Sequence, residues 1–207
     1  MNTLLIRLIA PMQAWGVQSR YDERDSAREP SKSGVMGLLC AALGRARWDS
    51  VADLAGLRMG VRVDREGRLQ SDFQTVHDLK VISQREYLAD AAFLVGLEGE
   101  LTLLESLHAA LQHPKWSLYL GRKAFPPAEP VFLLDGLHEG EDLIYALTHY
   151  PRLVASSGED LRVRLVLDDP ENGEQLVPDV PVSFAERRFL PRRVHTRYVE
   201  IPHQTGG

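Results

Sequence analysis

Leu4, Ile6, Leu8 and Ala10 alternate with Thr3, Leu5, Arg7 and Ile9, so both faces of the first segment carry apolar side chains. A period of two with two apolar faces predicts an interior strand of a sheet. Residues 17–30 are polar and charged and close at Pro30. A helix is expected to start near Ser33, run through Val35, Leu38, Leu39, Ala42 and Leu43, and stop at Gly44, where glycine suits a left-handed cap. Residues 57–63 read as a strand, Asp64-Arg65-Glu66-Gly67 as a turn, and 69–76 as its return. The polar stretch 77–86 has no sustained periodicity and reads as a protruding arm. Residues 87–97 predict a central strand, and 101–111 a helix with apolar positions 103, 104, 107 and 111. A short strand at 116–120 then leads to Gly121-Arg122-Lys123 and the breaker Phe125-Pro126-Pro127.

This order approximates βαββαβ, the split arrangement of ferredoxin-like domains, with an elaborated hairpin. The expected class is α+β. A ferredoxin-like domain of the kind many RNA-binding proteins use spans 1–130, with a thumb-like arm near 64–90, and a small β-rich region follows over 131–207. In that second region 141–149 predicts a short helix stopped by Pro151, and 161–167 a strand. Asp168-Asp169-Pro170-Glu171-Asn172-Gly173 is turn chemistry into 175–177, and the chain ends in an extended 197–201.

Composition changes little. The 207 residues are 44% apolar and 26% charged, ordinary for a globular protein. No stretch approaches the roughly 20 apolar residues of a membrane helix, so no membrane partner is expected. Arg7 interrupts the first apolar run, and the single cysteine, Cys40, sits among apolar neighbours without a partner. A reducing, cytoplasmic setting is expected.

Charge is more informative in its distribution than in its sum. The net of -5 argues against a generic nucleic-acid binder. Residues 135–180, however, hold 11 acidic and 3 basic side chains, 181–207 hold 5 arginines against 2 glutamates, and 1–134 balance at 16 of each sign. Electrostatic footprints are local, so RNA, DNA and small anions all stay open.

Three segments carry candidate chemistry. Ser31-Lys32-Ser33-Gly34 opens the first helix, where unpaired amides and partial positive charge suit a phosphate or a carboxylate. The same residues equally describe a helix cap that binds nothing. Leu118-Tyr119-Leu120-Gly121-Arg122-Lys123 sets an aromatic beside two cations, as single-stranded RNA binding requires, or as a surface turn presents. Arg187, Arg188, Arg192 and Arg193 repel one another unless an anion or partner balances them, and Phe184, Phe189 and Leu190 among them imply packing. Catalytic patterns are thin: the histidines at 77, 108, 113, 138, 149, 195 and 203 show no H-x-x-x-H spacing. A metal-free ribonuclease would draw on His77, Tyr87 and Lys80.

Six segments in order make a more specific pattern. They are Pro11-Met12-Gln13-Ala14-Trp15-Gly16, Ser31-Lys32-Ser33-Gly34-Val35-Met36-Gly37-Leu38-Leu39 and Phe73-Gln74-Thr75-Val76, then Arg85-Glu86-Tyr87-Leu88-Ala89-Asp90-Ala91-Ala92-Phe93, the 118–123 segment and Phe184-Ala185-Glu186-Arg187-Arg188. From about residue 3 to about residue 200 the chain resembles the fifth-family Cas subunits of the subtype I-E CRISPR Cascade complex, in the RAMP superfamily. The resemblance implies a RAMP-type ferredoxin-like domain with a thumb hairpin, and a non-catalytic subunit without cofactor or metal. Its implied partners are the 5′ handle of the CRISPR RNA, the Cascade backbone subunit and the large subunit, with target DNA met through the assembled complex. Carried over, Gln13 and Trp15 line the handle's path, Lys32 and Ser33 meet phosphates, and Tyr119, Arg122 and Lys123 flank it. Arg24, Arg187 and Arg188 complete the expected RNA-binding set. The rival expectation is a metal-independent endoribonuclease that processes CRISPR repeat RNA, as in subtype I-C.

Overall fold

The computed structural model describes residues 1–16, 23–24, 26–76, 81–155 and 162–201, with backbone alone at 23–24, 74–76 and 81–83. Its main element is a seven-stranded sheet. The first strand, β1 (Asn2–Ile9), is interior and buried on both faces, as its pattern requires. Leu4, Ile6 and Leu8 face one core with helices α1 (Lys32–Leu43) and α3 (Leu101–Gln112), while Leu5 faces a second core with α4 (Leu143–His149). Helix α1 ends at Gly44, whose φ of 75° is the left-handed cap expected there. A one-turn helix, α2 (Ala52–Ala55), precedes the next strand.

Around β1 the sheet is completed by β4 (Arg58–Arg65), β7 (Ala92–Gly99) and β8 (Phe132–His138), in the order β4-β7-β1-β8 with every neighbouring pair antiparallel. These strands, with α1 and α3, follow the chain as βαββαβ, and β7 separates β1 from β4. The last strand of the unit is β8, not 116–120 as its apolar residues had indicated. Segment 116–120 sends its backbone bonds to loops and to the end of α1, Trp116 N donating to Ala41 O at 3.2 Å.

The strands β9 (Arg162–Asp168), β10 (Gln175–Ser183) and β11 (Arg188–Glu200) extend the same sheet from β4, in the order β10-β11-β9-β4. The C-terminal region therefore continues the sheet rather than standing beside it, and β8, beyond the boundary drawn at 130, belongs to the central unit.

The expected strand 87–97 is two strands. Asp90, at φ 58°, turns the chain between β6 (Val81–Ala89) and β7, and its amide donates to Pro11 O at 3.0 Å. Strand β6 pairs over nine positions with β5 (Arg68–Val76), a hairpin about 30 Å long at ordinary strand rise. The arm's tip, 77–80, lies outside the described residues. Strand β6 also pairs with two short strands, at its root with β2 (Met12–Gln13) and midway along with β3 (Glu23–Arg24).

Candidate nucleic-acid interface

The Pro11–Gly16 segment is fixed from inside. Gln13 is fully buried, and its amide nitrogen donates to Leu8 O at 3.2 Å and Ala91 O at 2.9 Å. Its carbonyl oxygen accepts Trp15 Nε1–H at 3.1 Å, which satisfies the polar edge of a buried indole. That indole lies over the first turn of α1, where a Cβ on Gly34 would sit 2.9 Å from Trp15 Cε3. Gln13 and Trp15 thus have no exposed side chain with which to line an RNA path. They fix the loop's shape, which corrects the role carried over to them.

Helix α1 begins with Ser31, whose hydroxyl accepts Gly34 N–H at 3.3 Å. The anion at this helix start belongs to the chain itself. Lys32 N donates to Asp179 Oδ2 at 2.7 Å, and Lys32 Nζ reaches Asp168 Oδ2 at 3.0 Å. Arg192 bridges both acids, bonding Asp179 Oδ1 at 2.6 Å through Nε and Asp168 Oδ1 through Nη1. Burial opposes the charge of Arg192, but the two carboxylates outweigh it and hold its pKa above the ordinary arginine range. Two cations and two anions close a neutral, buried quartet. Lys32, only 5% exposed, is therefore an internal counter-ion and not a phosphate contact. Ser33 is half-buried, its hydroxyl 3.5 Å from that of Ser31.

The four-arginine cluster is divided by the same packing. Arg192 enters the quartet, and Arg193 donates to Gly173 O at 3.0 Å. Arg187 and Arg188 stay exposed at the β10–β11 turn, Arg188 lying 3.5 Å from the exposed Glu186. Phe184 and Phe189 meet edge to face beneath them, and Phe184 packs against Gly37 of α1.

The 118–125 loop docks on the Pro11–Gly16 segment. Ala14 N donates to Leu120 O at 3.0 Å, and Gly121, at φ 93°, presses so close that a Cβ there would lie 1.7 Å from Ala14 O. Only glycine fits both the angle and the gap. Arg122 Nη2 donates to Glu86 O at 2.8 Å on β6, and its guanidinium lies 5.7 Å from the Phe125 ring centroid. Phe125 in turn packs on Tyr87, with ring centroids 5.9 Å apart. Tyr119 and Lys123 are exposed on this loop. Arg24 reaches the same place by its backbone, paired with Arg85, while its side chain lies outside the described residues.

Arg85 is a residue that sequence reasoning quoted without assigning. It is half-buried midway along β6, opposite Asp72, and its Nε is buried without a hydrogen-bond partner. Its signal was its place in the 85–93 segment. For the ribonuclease expectation, His77 and Lys80 lie outside the described residues, and Tyr87 is packed against Phe125. Among the described residues no three His, Cys, Asp or Glu side chains are grouped to hold a metal ion. No helix there is long and apolar enough to cross a membrane.

Comparison with known proteins adds four findings. A family model described as "CRISPR-associated protein (Cas_Cas5)" matches residues 3–195. The chain is 34% identical over 173 residues to the "CRISPR system Cascade subunit CasD" of Escherichia coli (strain K12), covering 71% of this chain and 76% of that protein. Among solved structures, a "Crystal structure of Cas protein" superposes with a TM-score of 0.84 at 50% identity, covering 96% of this chain and 95% of that one. A chain of a "CRISPR RNA-guided surveillance complex" superposes with a TM-score of 0.81 at 31% identity, covering 97% and 91%.

Proposed function

The chain belongs to the CRISPR-associated Cas5 family, and from that premise we propose that it is the non-catalytic RNA-binding subunit of a type I-E Cascade surveillance complex. In this reading it holds the 5′ handle of the CRISPR RNA, caps one end of the backbone and packs against the backbone and large subunits. Target DNA meets it only through the assembled complex. Guide pairing reads sequence in such complexes, so the protein has to hold phosphates and bases without reading base edges.

The observation that carries the reading is the contact of Gly121 with Ala14. It joins two segments more than a hundred residues apart and fixes the loop on which Tyr119 and Lys123 are exposed, while Arg122 bonds Glu86, the neighbour of Arg85 on β6. An aromatic face for a base and several cations for phosphates, on backbone that cannot shift, is what a held single strand needs. The net charge of -5 is no obstacle, because the acids of 135–180 lie in another part of the chain. Lys32 drops out of the phosphate contacts, since its charge is consumed within the fold.

The test replaces surface residues only. Tyr119→Ala combined with Lys123→Glu is expected to lower retention of CRISPR RNA in the assembled complex by about tenfold, given the worth of one stacked base and one phosphate contact. Unchanged retention would remove the site. Metal-free, site-specific cleavage of repeat RNA by the purified chain would overturn the non-catalytic reading.

A further inference from the structure

Two of the chain's three tryptophans stand at the other end of α1. Trp48 is 81% exposed and Trp116 50% exposed, whereas Trp15 is buried. Both are held by backbone fastened to the helix's last turn. Lys115 N donates to Ala42 O at 2.9 Å, Trp116 N donates to Ala41 O, and the Lys115 stem lies over Gly44. Beyond Gly44, Arg45 N donates to Cys40 O at 2.8 Å. Ala46 N donates to Asp49 Oδ2 at 2.7 Å and Asp49 N to Ala46 O at 3.1 Å, a closed turn that carries Trp48. Since α1 has 12 residues, this patch lies about 18 Å along the helix from Ser31 and the junction described above.

The charges around the tryptophans are not balanced. Asp53 is engaged bidentately by Arg45, at 2.6 and 2.5 Å, and that hydrogen bonding holds its carboxyl below the usual carboxylate range. Asp49 accepts the Ala46 amide but stays exposed and keeps its charge. Arg47 and Lys115 are exposed and pair with no acid among the described residues. Arg45, Arg47 and Lys115 against Asp49 and Asp53 leave one net positive charge, so two planar faces stand on hydrogen-bonded backbone in a cationic setting.

We infer that this patch is a second nucleic-acid surface, on which bases of a single strand stack against Trp48 and Trp116 while Arg47 and Lys115 take its phosphates. Stacking on aromatic faces and neutralisation by flanking cations together form the sequence-tolerant mode of single-strand binding. Tryptophan and arginine are also common in protein interfaces, but lysine is depleted there, and the net positive charge of the patch favours a polyanion. Stacking ignores the sugar, so RNA and single-stranded DNA share the chemistry.

The experiment titrates oligouridine and oligothymidine of about 15 nucleotides into the full chain and reads intrinsic tryptophan fluorescence. Because Trp15 is buried, quenching reports on Trp48 and Trp116. Quenching by at least one of the two oligomers is expected, and it persists in the Tyr119→Ala/Lys123→Glu chain, which separates this surface from the handle site. By anisotropy, Trp48→Ala with Trp116→Ala weakens binding at least about tenfold, and Arg47→Glu with Lys115→Glu flattens its salt dependence. Absence of quenching by both oligomers, or undiminished binding by the double tryptophan variant, overturns the inference. So does a double variant that binds oligonucleotides normally but fails to join the other Cascade subunits, since that marks a protein contact.

Discussion

Lys32 shows how one residue's role is decided by what is buried with it. An ammonium at a helix start is free to meet a phosphate only while water or a ligand is its best alternative. Here Asp168 and Asp179 are delivered from 136 and 147 residues away, and a partly dehydrated carboxylate outcompetes a solvated ligand. Lys32→Ala would leave Asp168 short of a counter-charge, with only Arg192 and the Met59 amide as partners. The expected cost is about 3 kcal/mol of folding stability, read as a fall of roughly 6–12 °C in Tm. Folded complex carrying this variant retains its RNA. Loss of RNA at unchanged Tm would reinstate Lys32 as a phosphate contact.

At the scale of elements, the 118–125 loop is placed by one glycine. Gly121→Ala removes no atom that touches RNA, yet it puts a methyl group inside the van der Waals surface of Ala14 O at a backbone angle alanine resists. Retention of CRISPR RNA is expected to fall as far as in the Tyr119→Ala/Lys123→Glu chain. Gly140→Ala is the control: its φ is 77° but nothing lies within 4 Å, so it costs only about 1 kcal/mol and leaves RNA retention intact. Equal behaviour of the two glycine variants would show that the docking of the loop does not matter. The three longer helices were legible in advance as local patterns, α1 with caps at Ser31 and Gly44, α4 with a cap at Asp142 and α3 by its apolar period; the one-turn α2, without a side-chain cap, was not. The strands were less so. Residues 116–120 have a strand's apolar content but no neighbour to pair with, and 87–97 have a strand's continuity but a turn at Asp90.

At the scale of the molecule, a continuous seven-stranded sheet carries helices on both faces, and the hairpin with β2 and β3 forms a second, four-stranded sheet. Strands β9, β10 and β11 supply Leu165 and Leu167 to the second core and three of the four charges of the buried quartet. A fragment ending at residue 155 would bare the β4 edge and leave Lys32 buried without a counter-ion. It is expected to show no cooperative thermal unfolding and to be cleaved rapidly within β4 and β7. A cooperative melt with a dispersed amide spectrum would establish instead that the central unit folds alone. At this scale the hairpin is the exception: β5 pairs with β6, and β6 meets the body through β2, the Arg122–Glu86 bond and the Tyr87–Phe125 contact.

By itself the sequence determined the class of fold, the positions of the three longer helices and, through the resemblance of six ordered segments, the family. The fold class and the helices are written in spacing: periods of two and 3.6, capping residues, turn residues. What the tertiary structure alone decided is which polar side chains remain available. Gln13, Trp15, Lys32 and Arg192 are indistinguishable in sequence from Tyr119, Lys123 and Arg188, because a side chain's availability depends on partners that folding brings from distant parts of the chain. Burial consumed the first group as internal hydrogen bonds and ion pairs, and left the second facing water.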